Sequence, residues 1–548
     1  MLSKFLCFTR SKSNKKPTTS PNNVSEKAVF NSKTQASSMT TATTPPSPPS
    51  PKIDIRTGNR TLILDLGDVL FHWSASNLTA LSPSTFHAVI LTPTWGLLES
   101  GKITEEEAFK AIGEELSLEA STIREAFDQC RPTLRVDHDT IAALKDLKKE
   151  MNGRLKVYAM TNIAKDDFAR LKAVLPDWDL FDAEFTSFEA GMIKPELGYY
   201  KYVLEKIGLQ DPTTAIFIDD KVANVNAARS FGISGIVFDN APSMLRQLRA
   251  QLFDPVTRAR QYMKANAHNH TSCIENGPEF RDVFSQFLIH KVLQDVSIIS
   301  LSPAGASESE IANEIEKASK EAQTWNYFIG PPVGTTRTFP EDVDDTATAL
   351  LAFSPPASSA NPVLDRFLTN RHERDGLVQT YFDEKRPRVC PVVLVNVIRV
   401  FYHYNRGADI KPEFQHVRNV LLNRGYVDGT AMYLSAEPFL FFLSCLVEAN
   451  PEASEVQALR APLAAALRER VGRRGDTFAV AARVLACQSL GVWAGSDVSH
   501  LKELQESDGG WEVGWVCRYG RSQKRIGSRG VVTAYAIKAL EQDVKISA

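Results

Sequence analysis

The stretch TRTFPEDVDDTATALLAF places Glu341, Asp342, Asp344 and Asp345 within five positions, directly before an apolar run. Ionised together these carboxylates repel one another, so their crowding needs a reason. One reason is a helix start: Pro340 suits a first turn, and acids there complement the helix dipole. That accounts for one or two of them, hardly four. A metal site is a second reason, but the helical sequence around it holds no matching second acidic cluster. The third reason uses the repulsion. Crowded carboxylates cannot all ionise, so one keeps its proton near neutral pH. In an apolar pocket such an acid can protonate a group as weakly basic as a carbon–carbon double bond. The resulting carbocation needs aromatic faces, and a generous supply runs from Trp325, Tyr327 and Phe328 through Tyr381, Tyr433 and Phe439 to Trp511 and Trp515.

A second reactive set lies upstream. Asp65 closes the apolar run of ILDLGDVLF, and Thr161 with Asn162 closes VYAMTN. Lys194 stands in GMIKPELGYY, and Asp219 and Asp220 end AIFIDD, followed by Asn224. An aspartate that attacks phosphorus needs a metal to offset charge, a hydroxyl donor and a lysine. All of these parts are present.

The elements that must position these groups differ between the two sets. RTLILDLGDVLFHW, LKVYAMTN, AEFTSF and TAIFIDD read as short strands, alternating with helical stretches such as GYYKYVLEKIG. That alternation indicates an α/β domain with a parallel sheet, whose ligands gather at the carboxyl ends of its strands. Its expected bounds are residues 59–245, with a helical insertion at about 76–150. Residues 246–324 read as a helical linker and 325–548 as an all-α domain almost without strands. Residues 1–58, rich in Ser, Thr, Pro and Lys, are expected to be disordered. A cytoplasmic chain is expected, with organelle targeting by the basic N-terminus as the alternative. The net charge of −2 gives no pull toward nucleic acid. The seven cysteines form no CxxC pair, which fits a reducing compartment. The longest apolar stretch, PFLFFLSCLV, is about half a membrane span, so no stable membrane insertion is expected.

The first set resembles the haloacid dehalogenase superfamily over about residues 60–245, with its signature positions matched. The resemblance implies a Rossmann-like fold with a helical cap and Asp65 as nucleophile. It also implies Thr161, Asn162 and Lys194 on the transferring phosphoryl group. A Mg²⁺ ion would be held by Asp65, the Gly67 carbonyl, Asp219 and Asp220. The family's usual general acid, two residues after the nucleophile, is replaced here by Gly67. Its loss commonly costs about 10²- to 10⁴-fold. Asp68, the next residue, points away if the turn is regular.

The second set resembles the DxDD signature of class II terpene cyclases, in which the middle aspartate, here Asp344, is the acid tuned by Asp342 and Asp345. ELQESDGGWEVGW is similar to their QW-type repeat, with Gln505, Gly509, Gly510 and Trp511 in place. Together these imply a terpene synthase β domain, an α/α barrel, over about residues 325–548. Arg518, Arg521, Lys524 and Arg525 just beyond, with Arg529, are candidate diphosphate binders, and Lys385, Arg386 and Arg388 form a second basic group. The fusion looks like the drimane-type sesquiterpene cyclases. That implies farnesyl diphosphate as substrate and a bicyclic drimenyl or albicanyl diphosphate as product. One alternative is hydrolysis of that product to drimenol or albicanol by the first domain. Another is a small-molecule phosphatase with a helical accessory. A homodimer is a further possibility.

Overall fold

The computed structural model describes residues 60–547, with side chains through Gln542. The expected N-terminal disorder lies outside the described residues. The chain divides into two compact units between Ala241 and Pro242.

In the first unit, strands β1 (Arg60–Leu64), β2 (Leu155–Thr161), β3 (Ala183–Thr186), β4 (Ala215–Asp219) and β5 (Ser234–Val237) form one sheet in the order β3–β2–β1–β4–β5. Every pairing is parallel. β4 is buried throughout and β1 nearly so, as expected of strands covered on both faces. Leu64 pairs with Ala159 on one side and Ile218 on the other. That register brings Asp65, Thr161 and Asp219 to the same edge.

Helices α1 (Pro83–Ile90), α2 (Pro93–Glu99), α3 (Glu105–Leu116) and α4 (Ala120–Cys130) bury Phe86, Trp95, Phe109 and Phe127 in a core of their own. The first three start on hydroxyl caps, Ser82, Thr92 and Thr104, and Thr104 completes a capping box with Glu107. The next helix, α5 (His138–Glu150), buries Ile141, Leu144 and Leu147 and packs on β2. The cap therefore ends near Cys130 rather than at residue 150.

In the second unit, α6 (Val283–Leu293), α7 (Val343–Phe353), α8 (Pro391–His403), α9 (Glu437–Ala449), α10 (Thr477–Leu490) and α11 (Arg529–Ser547) pack each on the next, and α11 returns to α6. The ring is an α-helical barrel closed around one apolar core. Residues 246–324 are not a linker. Val283 to His290 are all buried, and a helix buried on every side lies inside a core rather than between domains. The same stretch gives strands β6 (Ser272–Ile274) and β7 (Glu279–Phe280), which join β8 (Gly514–Arg518) and β9 (Arg525–Ser528) in the order β8–β9–β6–β7. The expectation of an almost strandless domain fails at this sheet, half of which was hidden in the presumed linker.

The QW-type segment is a clasp. Gln505 Nε2 donates to the carbonyls of Pro255 and Gly509 at 2.8 Å each, and buried Trp511 donates to Leu501 O at 2.8 Å. A Cβ on Gly509, at φ +90°, would fall 2.5 Å from the Arg258 carbonyl oxygen, so glycine is required there. No helix among the described residues is long and apolar enough to cross a membrane.

Candidate active sites

Lys194 organises the first cluster. Its ammonium lies 2.9 Å from Asp65 Oδ1 and 2.7 Å from Asp219 Oδ2, and it donates to Met160 O at 2.9 Å. Asn162 clamps the lysine backbone, donating to Lys194 O at 2.9 Å and accepting from Lys194 N–H at 2.7 Å. Asn224 donates to both oxygens of Asp219, at 2.9 and 3.0 Å. Burial opposes a charge on Asp65, but Lys194 outweighs it and holds the carboxyl below its ordinary range. For Asp219 burial wins, aided by Asp65, and the carboxyl is pushed up to about 6. Asp65, Asp219 and Asp220 offer oxygens within 4.8 Å of one another. Three carboxylates against the Lys194 ammonium and the nearby Lys221 still leave negative charge uncompensated, and an all-oxygen donor set fits Mg²⁺.

The turn after Asp65 is not regular. Asp68 takes the left-handed region at φ 57°, and burial, then Asp220 and Asp65, raise its carboxyl. The expectation that a regular turn carries Asp68 away from the site therefore fails on its premise. Thr161 is buried at the end of β2. Beneath the cap, a cavity of about 110 Å³ is lined by Trp73, Phe86, Trp95 and Phe127, with Glu99, Asn162 and Lys221 among its polar groups.

The second cluster has no lysine. Asp342 is the N-cap of α7, accepting from Asp344 N–H at 2.6 Å and Asp345 N–H at 3.3 Å. The modest reading of these acids as a helix start therefore holds for Asp342. Glu341 stands apart, half-exposed and paired with Arg366 at 3.0 Å. Asp342, Asp344 and Asp345 are 7, 6 and 2% exposed, and none forms an ion pair among the described residues. Burial first, then Asp344, pushes Asp342 up to about 8. Burial and then Asp342 raise Asp345 well above the carboxylate range, and its Oδ2 finds no partner among the described residues. Burial also raises Asp344, but three groups pull back: Tyr433, Asn396 and Arg399. The Tyr433 hydroxyl donates to Asp344 Oδ2, and Asn396 Nδ2 donates to Oδ1 at 2.7 Å. Burial thus favours the protonated form of Asp344, while both of its oxygens already have donors suited to the anion left once a proton is gone. Desolvation leads and crowding follows, a reversal of the order the sequence suggested.

Asn396 and Tyr433 were missed as functional residues. Tyr433 counted only as one aromatic among many, but Asn396 had a signal: it is the lone amide in the apolar helix VVLVNVIRVFYHY. The cavity at the acids, about 50 Å³, is lined by Phe284, Tyr327, Phe339, Tyr381 and Tyr433, and by Arg518. Arg518 is the cation of its group that reaches this cavity, anchored on Thr430 O at 2.6 Å. Arg525 is paired with Glu275, Arg529 with Asp508 and Trp511 O, and Arg521 and Lys524 are exposed between β8 and β9. Trp511 is fully buried in the clasp, away from the acids.

Residues 256–404 match the family model described as the sesquiterpene cyclase astC-like C-terminal domain. The chain is 36% identical over 191 residues to the sesquiterpene phosphatase astK of Aspergillus oryzae, covering 35% of this chain and 95% of that protein. A solved HAD family enzyme of Bacteroides thetaiotaomicron is similar over 33% of this chain and 94% of its own, at 24% identity and a TM-score of 0.28. The drimenol cyclase drtB of Aspergillus calidoustus is 38% identical over 483 residues, 88% of each chain. With a buried DxDD run in a helical barrel and a five-stranded parallel sheet in one polypeptide, and at 38% identity over 88% of that relative, the chain belongs to the drimenol cyclase family of sesquiterpene cyclases.

Proposed function

We propose that the second unit protonates farnesyl diphosphate at its terminal alkene and closes it to a bicyclic drimane-type diphosphate, with Asp344 as the acid. The carrying observation is the environment of Asp344: buried, unpaired by any cation, with Asn396 and Tyr433 donating to its two oxygens. The proton passes from Asp344 to the terminal alkene carbon and leaves a tertiary cation. Two ring closures follow, and loss of a ring-adjacent proton ends the sequence. Tyr327, Phe339 and Tyr381 offer aromatic faces to the cation, and Arg518 a charge for the diphosphate. A cavity of about 50 Å³ holds roughly two waters, so its walls must part to admit fifteen carbons. Incubation with farnesyl diphosphate and Mg²⁺, with extracts analysed before and after added phosphatase, tests the reading. No bicyclic product in either extract refutes it.

A second reading is favoured by the Lys194 bridge: the first unit hydrolyses the cyclised diphosphate. Asp65 Oδ would attack the terminal phosphorus and expel the monophosphate ester, and water would then split the aspartyl phosphate. A repeat of the cycle would give the alcohol. Asp65, Asp219, Asp220 and the Gly67 carbonyl would hold Mg²⁺, which supplies charge neutralisation on the phosphoryl group. Asp65→Asn should leave cyclisation intact and accumulate diphosphate in place of alcohol. If wild type and variant release the same diphosphate, the first unit is a scaffold.

A further inference from the structure

The cavity that the cyclase acids line is small beside a second one in the same barrel. At the other ends of the helices lies a space of about 610 Å³, walled by later-turn residues such as Leu351, Phe442 and Tyr535. Lys291, Arg399 and Lys538 also face it, with His403 and the carboxylate of Glu448. No carboxylate among the described residues lies within ion-pair distance of these three cations. Helix C-termini attract cations without any ligand, and Lys291 answers that need by donating to Leu351 O at 2.6 Å. Arg399 does not. It stands a turn above the end of α8 and donates Nη1–H to Asn396 Oδ1 at 2.7 Å, its guanidinium 5.3 Å from the Phe442 ring centre. A guanidinium has five N–H donors, so most of its capacity faces the cavity. Burial, then the nearby Arg399, depresses Lys291, as expected of like charges without a counter-ion.

We propose that this cavity binds a phosphorylated amphiphile of the isoprenoid mono- or diphosphate class, and that its occupancy slows cyclisation from the far end of the barrel. The proposal rests on the cyclase reading above. The cations match the phosphate, and Phe442, Tyr535 and Leu351 match the hydrocarbon. The link to the acid is short: Arg399 holds Asn396, and Asn396 holds Asp344. A phosphate that draws the guanidinium away from Asn396 Oδ1 loosens the amide and removes positive charge from behind Asp344. The acid weakens and turnover falls.

Dodecyl phosphate, which has no alkene to protonate, is the probe, used on the full chain. Wild type should show two binding sites by calorimetry and inhibition that lowers kcat. Lys538→Gln should weaken the second site about tenfold, the loss of one charge-assisted contact, with basal turnover unchanged. Ser489 also lines the cavity, and Ser489→Glu, which adds a repelling charge without removing a cation, should act in the same direction. A single binding site with purely competitive inhibition, untouched by either variant, overturns the proposal. So does loss of basal cyclisation in a folded Lys538→Gln, which would make the cavity the substrate's own. Because binding is read directly, a chain that fails to cyclise farnesyl diphosphate would sink the cyclase reading while still testing the cavity.

Discussion

Both units gather three aspartates, all buried in the second and two buried beside half-buried Asp220 in the first, but only the first gives them a lysine, and that difference suits the two clusters to opposite chemistry. Lys194, 2.9 Å from Asp65, keeps that carboxylate ionised in a buried site, as a nucleophile must be. Asp344 forms no such ion pair among the described residues, so desolvation raises its carboxyl instead. Neutral donors then do a subtler job. Hydrogen bonds from Asn396 and Tyr433 stabilise the carboxylate form of Asp344, a pull downward that neither donor exerts on Asp342 or Asp345. Crowded carboxylates therefore specify no function by themselves; the nearest cation, present or absent, decides between nucleophile and acid.

The comparison can be broken most severely at the acid itself. Asp344→Asn keeps the shape and removes the proton, so cyclisation should fall by about 10⁴-fold with circular dichroism unchanged. A bicyclic product at near wild-type rate would move the acid elsewhere. In the other unit, Lys194→Met should leave Asp65 and Asp219 buried and unpaired, costing roughly 3–5 kcal/mol. Hydrogen exchange should quicken within residues 60–241 and stay unchanged in 242–547. Smaller is Tyr433→Phe, which removes one donor to the incipient carboxylate. A fall of about tenfold to hundredfold in kcat with little change in KM is expected. An effect confined to KM would make Tyr433 a binding residue only.

The mildest effect is in pH. Asp342 has a folded-state value of about 8 against an ordinary 3.8, so it is neutral at pH 7. As pH rises past about 8 it ionises beside Asp344, which then holds its proton more tightly, and cyclisation should decline. Asp342→Asn should flatten that limb. The raised value also means that this group's contribution to stability is full below about pH 4 and is lost up to about pH 8. Melting temperature should fall over that window in wild type more than in the variant.

Much of this was legible in the chain itself. Strand-ending aspartates, the lysine in GMIKPELGYY and the DVDD run fixed which chemistries were available, because residue type sets what can attack, ionise or donate a proton. Alternating short strands and helices gave the parallel sheet, since periodicity and chain order suffice for a βαβ fold. Tertiary structure decided the rest. α6 reads as a linker helix until the ring around it shows why it is buried on every side. Arg518 and Arg521 look equivalent in CRYGRSQKR, yet β8 carries one to the acids and the turn leaves the other in solvent. Asn396 lies 52 positions from Asp344, and Tyr433 lies 89. Neither pairing follows from local sequence, because it depends on α7 and α8 being neighbours in a closed barrel and on where the chain before α9 crosses its end. The run of acids suggests a proton donor; only packing sets Asn396 and Tyr433 on Asp344 rather than on its neighbours.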